Sequence, residues 1–345
     1  MDPSMIVEWV IKSVVILLVM TAGFAYVTLF ERRVIAKFQV RIGPNRAGPG
    51  GILQPVADGI KLIFKEELIP DKADKIIFIL APILTVIPAL IITAVVPWGG
   101  TINLFGRQVA LQLADLNVGV LYIMAVTSIS VYGITLAGWA SNNKYATMGG
   151  LRSTAQMISY EIAMGFSFIV PVLLAGSMSL LDIVNAQKDV WFILLQPGAA
   201  VILFISMLAE TNRAPFDMPE AEQELTAGYL TEYSGMKFAL FFMAEYIKMI
   251  AVSMIFASLF LGGFYLPFQG ALERAVPGLR PILPYLGPLV LFAKVVFLLY
   301  VFVWVRATLP RIRYDRLMAL GWKVTFPLAL LSVLVTAAAV LLVGG

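Results

Sequence analysis

Glu161, Glu210, Glu245 and Lys248 stand inside or at the edges of long apolar runs, and Lys294 adds a cation in a later run. A charge in hydrocarbon is costly unless it is paired, hydrated or neutralised, so each such group either handles ions or protons or is held by a partner. Glu245 and Lys248 are three residues apart and share a helix face. That spacing suits an ion pair that merely fixes packing as well as it suits proton transfer. From Ala209 to Gly235 the stretch AETNRAPFDMPEAEQELTAGYLTEYSG sets Glu210, Asp217, Glu220, Glu222, Glu224 and Glu232 against one arginine, Arg213. Crowded acids compete for ionisation, which lets some hold protons near neutrality and makes their occupancy respond to a passing negative charge. An ordinary solvated acidic loop is the plain alternative.

The 345 residues include no cysteine and no histidine. Disulfides, thiolate-held iron–sulfur clusters, the usual haem ligands and most zinc sites are therefore excluded, and any redox cofactor is expected in other chains. Nothing matches a nucleophilic triad, a phosphate-cradling loop or a metal-ligand set. The net charge of +4 comes without a basic tract of the kind that reads nucleic acid.

The elements that must position these groups are membrane spans. With 60% of residues apolar and 13% charged, the composition suits a chain dissolved in lipid. Runs near the ~20 residues that cross a hydrocarbon core predict helices at Met5–Phe30, Ile76–Val96, Asn117–Trp139, Thr154–Gly176, Val190–Leu208, Lys237–Gly262, Tyr285–Val305 and Val324–Val343. The expected fold is an all-α integral membrane protein, one polytopic domain of about eight transmembrane helices. The first run contains Glu8 and Lys12 and lacks a small-residue cleavage pattern, so it is read as a retained span. Most lysine and arginine falls in the odd connections, whereas the even ones carry only Arg107, Lys188, Arg274 and Arg280. This places the odd loops in the cytoplasm and both termini outside.

The first connection, residues 31–75, holds Gly43-Pro44-Asn45 and Gly48-Pro49-Gly50-Gly51, which force tight turns. After them Ile52, Leu53, Val56, Ile60 and Ile63 recur at helical spacing opposite Asp58, Lys61 and Lys65. This predicts a short amphipathic helix, either lying at the membrane interface or packed against the bundle. The acidic connection is taken as residues 209–236.

Four segments resemble the signature loops of a family of respiratory complex I proteins, the membrane subunits that build its quinone chamber: ERRVIAKFQVRIGPNRAGPGGILQPVADGIKLIFKE, GWASNNKYATMGGLRSTAQMISYE, the acidic stretch above, and WVRATLPRIRYDRLMALGW. They occur in the family's order and occupy the odd loops. Asn143 stands where the family often has serine, which removes no titratable group.

The resemblance implies a membrane subunit of a proton-translocating NADH:quinone oxidoreductase in the bacterial cytoplasmic membrane. It would build a quinone chamber with two peripheral-arm subunits and adjoin small and antiporter-like membrane subunits. Quinone would be the substrate, with FMN and iron–sulfur clusters held by partner subunits and no redox cofactor here. Carried over by position, Glu161, Glu210 and Glu245 match the buried glutamates that start a proton path, and Asp217, Glu220, Glu222 and Glu224 match its acidic loop. Arg32, Arg41, Asp58, Arg213, Phe216 and Phe242 are the candidates for the chamber and its entrance, each arginine being equally suited to a structural ion pair with the acidic loop. Arg306, Arg311, Arg313 and Arg316 read as topology and docking residues. The rival readings are the related membrane subunit of an energy-converting hydrogenase and, in another class, an independent secondary transporter. The latter would be expected to carry a half-sequence repeat, and none is visible.

Overall fold

The computed structural model of the chain describes residues 3–104, 107–217 and 226–344. In chain order its helices are α1 (Pro3–Phe38), α2 (Gln54–Ile63), α3 (Lys75–Ile91), α4 (Gly119–Ala140), α5 (Lys144–Ala175), α6 (Leu180–Ala186) and α7 (Phe192–Leu195). There follow α8 (Pro197–Glu210), α9 (Gly235–Phe260), α10 (Gln269–Ala275), α11 (Leu283–Thr308), α12 (Tyr314–Leu320) and α13 (Phe326–Gly344). A small antiparallel pair, β1 (Thr101–Leu104) and β2 (Arg107–Ala110), joins α3 to α4 with Thr101 opposite Ala110.

Among the described residues, seven helical segments are long and apolar enough to cross a membrane. The chain is thus an all-α membrane protein. The predicted fifth span differs from expectation. Gln196 leaves helical geometry (φ −135°, ψ 63°) and Pro197 starts a new helix, so Val190–Leu208 becomes a single turn followed by the 14 residues of α8. The first and fourth spans are longer than their apolar runs. Helix α1 continues through Glu31, Arg32 and Arg33 to Phe38, and α5 starts at Lys144 behind Asn143, whose Oδ1 accepts the Tyr145 amide at 3.0 Å.

Helix α9 is the axis. Every residue from Tyr246 to Phe260 is buried, as befits a helix apolar on all sides, and α1, α3 and α11 pack around it. Helices α3 and α4 approach closely because Gly133 has no side chain: a Cβ there would lie 2.4 Å from Thr85 Cγ2 and 2.9 Å from the Ala81 carbonyl.

Proline inside α3 has a visible consequence. Pro82 supplies no N–H, so the carbonyl of Phe78, four residues earlier, loses its helical donor. The Tyr233 hydroxyl donates to it at 3.2 Å, with the Tyr233 and Phe78 rings stacked at 4.0 Å. A break in one span is thus repaired from near the end of the acidic connection.

Candidate functional site

Helix α8 delivers Glu210 and ends in a turn with Asn212 at φ 50°. The turn is fixed from the side by Gln156 of α5, whose Nε2 donates to the carbonyls of Ala209 and Phe216 at 2.8 Å each. This holds Arg213 inside the protein. Its Nη1 lies 3.2 Å from Glu31 Oε1, its Nε lies 2.6 Å from Glu245 Oε1, and its guanidinium stacks over the Tyr246 ring at 4.3 Å. Glu31 also accepts from Arg306 of α11.

Two carboxylates and two guanidinium groups, drawn from α1, the α8 turn, α9 and α11, therefore form one neutral cluster. Burial alone would disfavour the Arg213 charge, but Glu245 and Glu31 hold it protonated above its ordinary range. Arginine suits this position because its planar fork can address two carboxylates at once.

Beside the cluster, Lys248 Nζ lies 3.1 Å from Glu210 Oε1, with Glu210 2% and Lys248 8% exposed. The sequence spacing offered Glu245 and Lys248 as partners; the structure gives Glu245 to Arg213 and Lys248 to Glu210 instead. The two pairs share a cavity of about 30 Å³ lined by Glu210, Glu245, Lys248, Thr85, Asn212 and Tyr229. Such a volume holds one or two waters among polar partners. Glu161, on α5, accepts from Ser128 of α4. The arrangement is a short series of carboxylates, separated by space for water, between a fixed cation and the bundle interior. It can store and pass protons.

The remaining candidates are spread more widely. Arg32 Nη1 donates to Asp58 at 2.6 Å, and Gln54 adds a bond to Asp58 at 3.2 Å, which ties α2 to the end of α1. The partner of Arg32 is therefore in the first connection, not the acidic loop. Arg41 is exposed and bonds Gln39 at 2.7 Å, away from the cluster. Phe216 is buried in the core against Tyr160, ring centroids 5.5 Å apart, and Phe242 packs on Phe238 at 4.5 Å. Asp217 is the last described residue before the gap, and Glu220, Glu222 and Glu224 lie outside the described residues.

Glu31, Tyr246 and Arg306 were not among the expected site residues. Arg306 read as a topology signal and is instead a cluster member, because α11 brings its last turn against α1. The available clue was Glu31, an acid at the end of an apolar run beside two arginines. Lys294 serves another purpose. Its Nζ donates to the carbonyls of Leu261, Gly263 and Tyr265 at 2.6, 2.8 and 2.5 Å, satisfying acceptors just beyond the end of α9.

A family model described as NADH dehydrogenase matches residues 11–337. The chain is 48% identical over 343 residues to the NADH-quinone oxidoreductase H-subunit of Thermomicrobium roseum, covering 96% of each chain. It is 51% identical over 326 residues to an H-subunit of the same oxidoreductase from Geobacter metallireducens, covering 94% of each. The corresponding H-subunit of Protochlamydia amoebophila is 51% identical over 313 residues, 91% of each chain.

Proposed function

Because the chain belongs to the NADH dehydrogenase family, we propose that it is the membrane subunit of a respiratory complex I. There it walls the quinone chamber and begins the proton path. The observation that carries this reading is the pairing of the neutral Glu31–Arg213–Glu245–Arg306 cluster with the cavity shared by Glu245, Glu210 and Lys248. The chain sits in a bacterial cytoplasmic membrane with its odd loops inside, and the electron carriers, FMN and iron–sulfur clusters, belong to partner subunits.

In this role quinone takes up two electrons and two protons. The negative charge arriving with the electrons competes with Glu245 for the Arg213 guanidinium, whose hold on Glu245 then weakens. Glu245 becomes the better proton acceptor, and water in the cavity connects it to Glu210 and onward to Glu161. Arg32 and Asp58 steady α2 at the mouth of the chamber. The acids of the loop, Asp217, Glu220, Glu222 and Glu224, replenish protons from the aqueous side.

Purification of the native chain with its partners, followed by inhibitor-sensitive NADH:quinone turnover and proton pumping, tests the reading. Recovery with NADH-oxidising subunits and active turnover is expected. In that complex E210Q lowers proton pumping roughly 100-fold, at the low end of what a positioned proton-transfer group contributes. Recovery with a nickel–iron hydrogenase, or full pumping by assembled E210Q, would overturn it.

A further inference from the structure

A second cavity lies on the outer wall, away from the acidic site. It measures about 720 Å³, runs between α1 and α11, and is floored by Ile250 and Met254 of α9. Val19, Tyr26 and Phe292 at its rim are 45, 51 and 68% exposed, so it opens on the outer face of this chain's bundle rather than into it. Arg33 is the one charged residue in its lining among the described residues.

The groove follows a single face of α1. From Val19 to Arg33 the helix rises about 21 Å at 1.5 Å per residue, more than the ~15 Å depth of one leaflet, half of a ~30 Å core. An apolar trough at that depth does not fill with water; it takes a hydrocarbon chain. One helical turn beyond Arg33, on the same stripe, Lys37 is exposed and makes no ion pair among the described residues. Arg33 donates to the Gly50 carbonyl, which occupies one of its five N–H groups and leaves its charge without a carboxylate.

We propose that this groove is a binding site for one anionic phospholipid, its acyl chain lying between α1 and α11 and its phosphate held by Arg33 and Lys37. The two cations choose the occupant. A neutral head group on an isoprenoid chain would fill the trough equally well but leave both charges unanswered, and a zwitterionic head group would bring its own cation beside them, whereas a head group of net negative charge answers both. The site is independent of the acidic cluster, which it neither shares residues with nor needs.

The test uses the assembled complex in nanodiscs of equal phosphatidylglycerol and phosphatidylcholine, extracted in mild detergent and weighed by native mass spectrometry. A basic side chain near the surface favours an anionic lipid about five-fold, so the pair gives roughly 25- to 30-fold enrichment of retained phosphatidylglycerol. K37Q is expected to lower this to about five-fold, and R33Q/K37Q to abolish it. A22F, which places a ring in the trough without touching a charge, should reduce retention of both lipids. K37Q alters an exposed residue and A22F a lipid-facing one, so neither depends on the loop contact of Arg33. Equal retention of the two lipids by the unaltered complex, unchanged enrichment in R33Q/K37Q, undiminished retention in A22F, or retention of quinone in place of phospholipid would each overturn the proposal.

Discussion

Arg213 touches carboxylates from two different helices, which makes it the side chain whose removal should hurt most. In R213Q, Glu245 loses the guanidinium that holds it, and Glu31 loses one of its two cations and keeps Arg306. Leaving a buried charge without its partner costs about 3–5 kcal/mol, so assembled complex should fall sharply in yield and thermal midpoint. R213K keeps the charge but not the fork, and an intermediate loss is expected. The sign of the pH effect also follows. A pKa held above its ordinary value keeps Arg213 charged at every pH below its ordinary value, so the guanidinium's own contribution is lost only in strong alkali. The thermal midpoint of the unaltered complex should therefore not change through titration of Arg213 near neutrality, and a pH titration of unfolding checks this. For Glu210 and Lys248, each single variant, E210Q or K248M, strands the other charge. The double variant should recover part of the loss, with a coupling of about 0.5–3 kcal/mol in a stability cycle. Glu161, Glu210 and Glu245 stand out in the sequence because an acid in an apolar run demands an explanation. Their partners do not, since Arg213 and Glu31 are 182 positions apart and only the packing of α1 against α9 and α11 brings them together.

At the level of elements, most spans can be read directly from apolar run length, but their ends cannot. Helix α1 continues for eight residues past the run because Glu31 and Arg32 find partners that make helical continuation cheaper than exposure. Helix α8 falls short for the opposite reason, a backbone break before Pro197 that no composition average registers. The joint between α3 and Tyr233 offers a clean test. Burial pushes the Tyr233 hydroxyl up in pKa, so it remains a donor at working pH. Y233F should cost about 1 kcal/mol by removing one hydrogen bond. In a P82A background, where the helix supplies its own N–H to Phe78, the same change should cost close to nothing. A thermal-stability cycle over the four proteins reads this directly, and equal losses in both backgrounds would sink the account.

For the molecule as a whole, α2 rests one side on α1 and α9 and keeps its apolar residues open. Ile60 and Ile63 are 51 and 62% exposed, and none of the helix is buried. The apolar face is left for lipid or for a neighbouring subunit. Because the chain has no cysteine, a single nitroxide at position 60 or 63 can be placed without background. Oxygen accessibility of the membrane phase is expected there if α2 lies on the bilayer, and protection on assembly if a subunit covers it. The shortness of α8 bears on how the chain is made. Its 14 residues rise about 21 Å, too little to bridge a core of ~30 Å, and they end in an acid. While the ribosome is still elongating, such a segment has no stable lodging of its own in the bilayer. Its acid gains a partner only when α9 supplies Lys248, so the carboxylate that marks the site also ties the lodging of α8 to that of the next span.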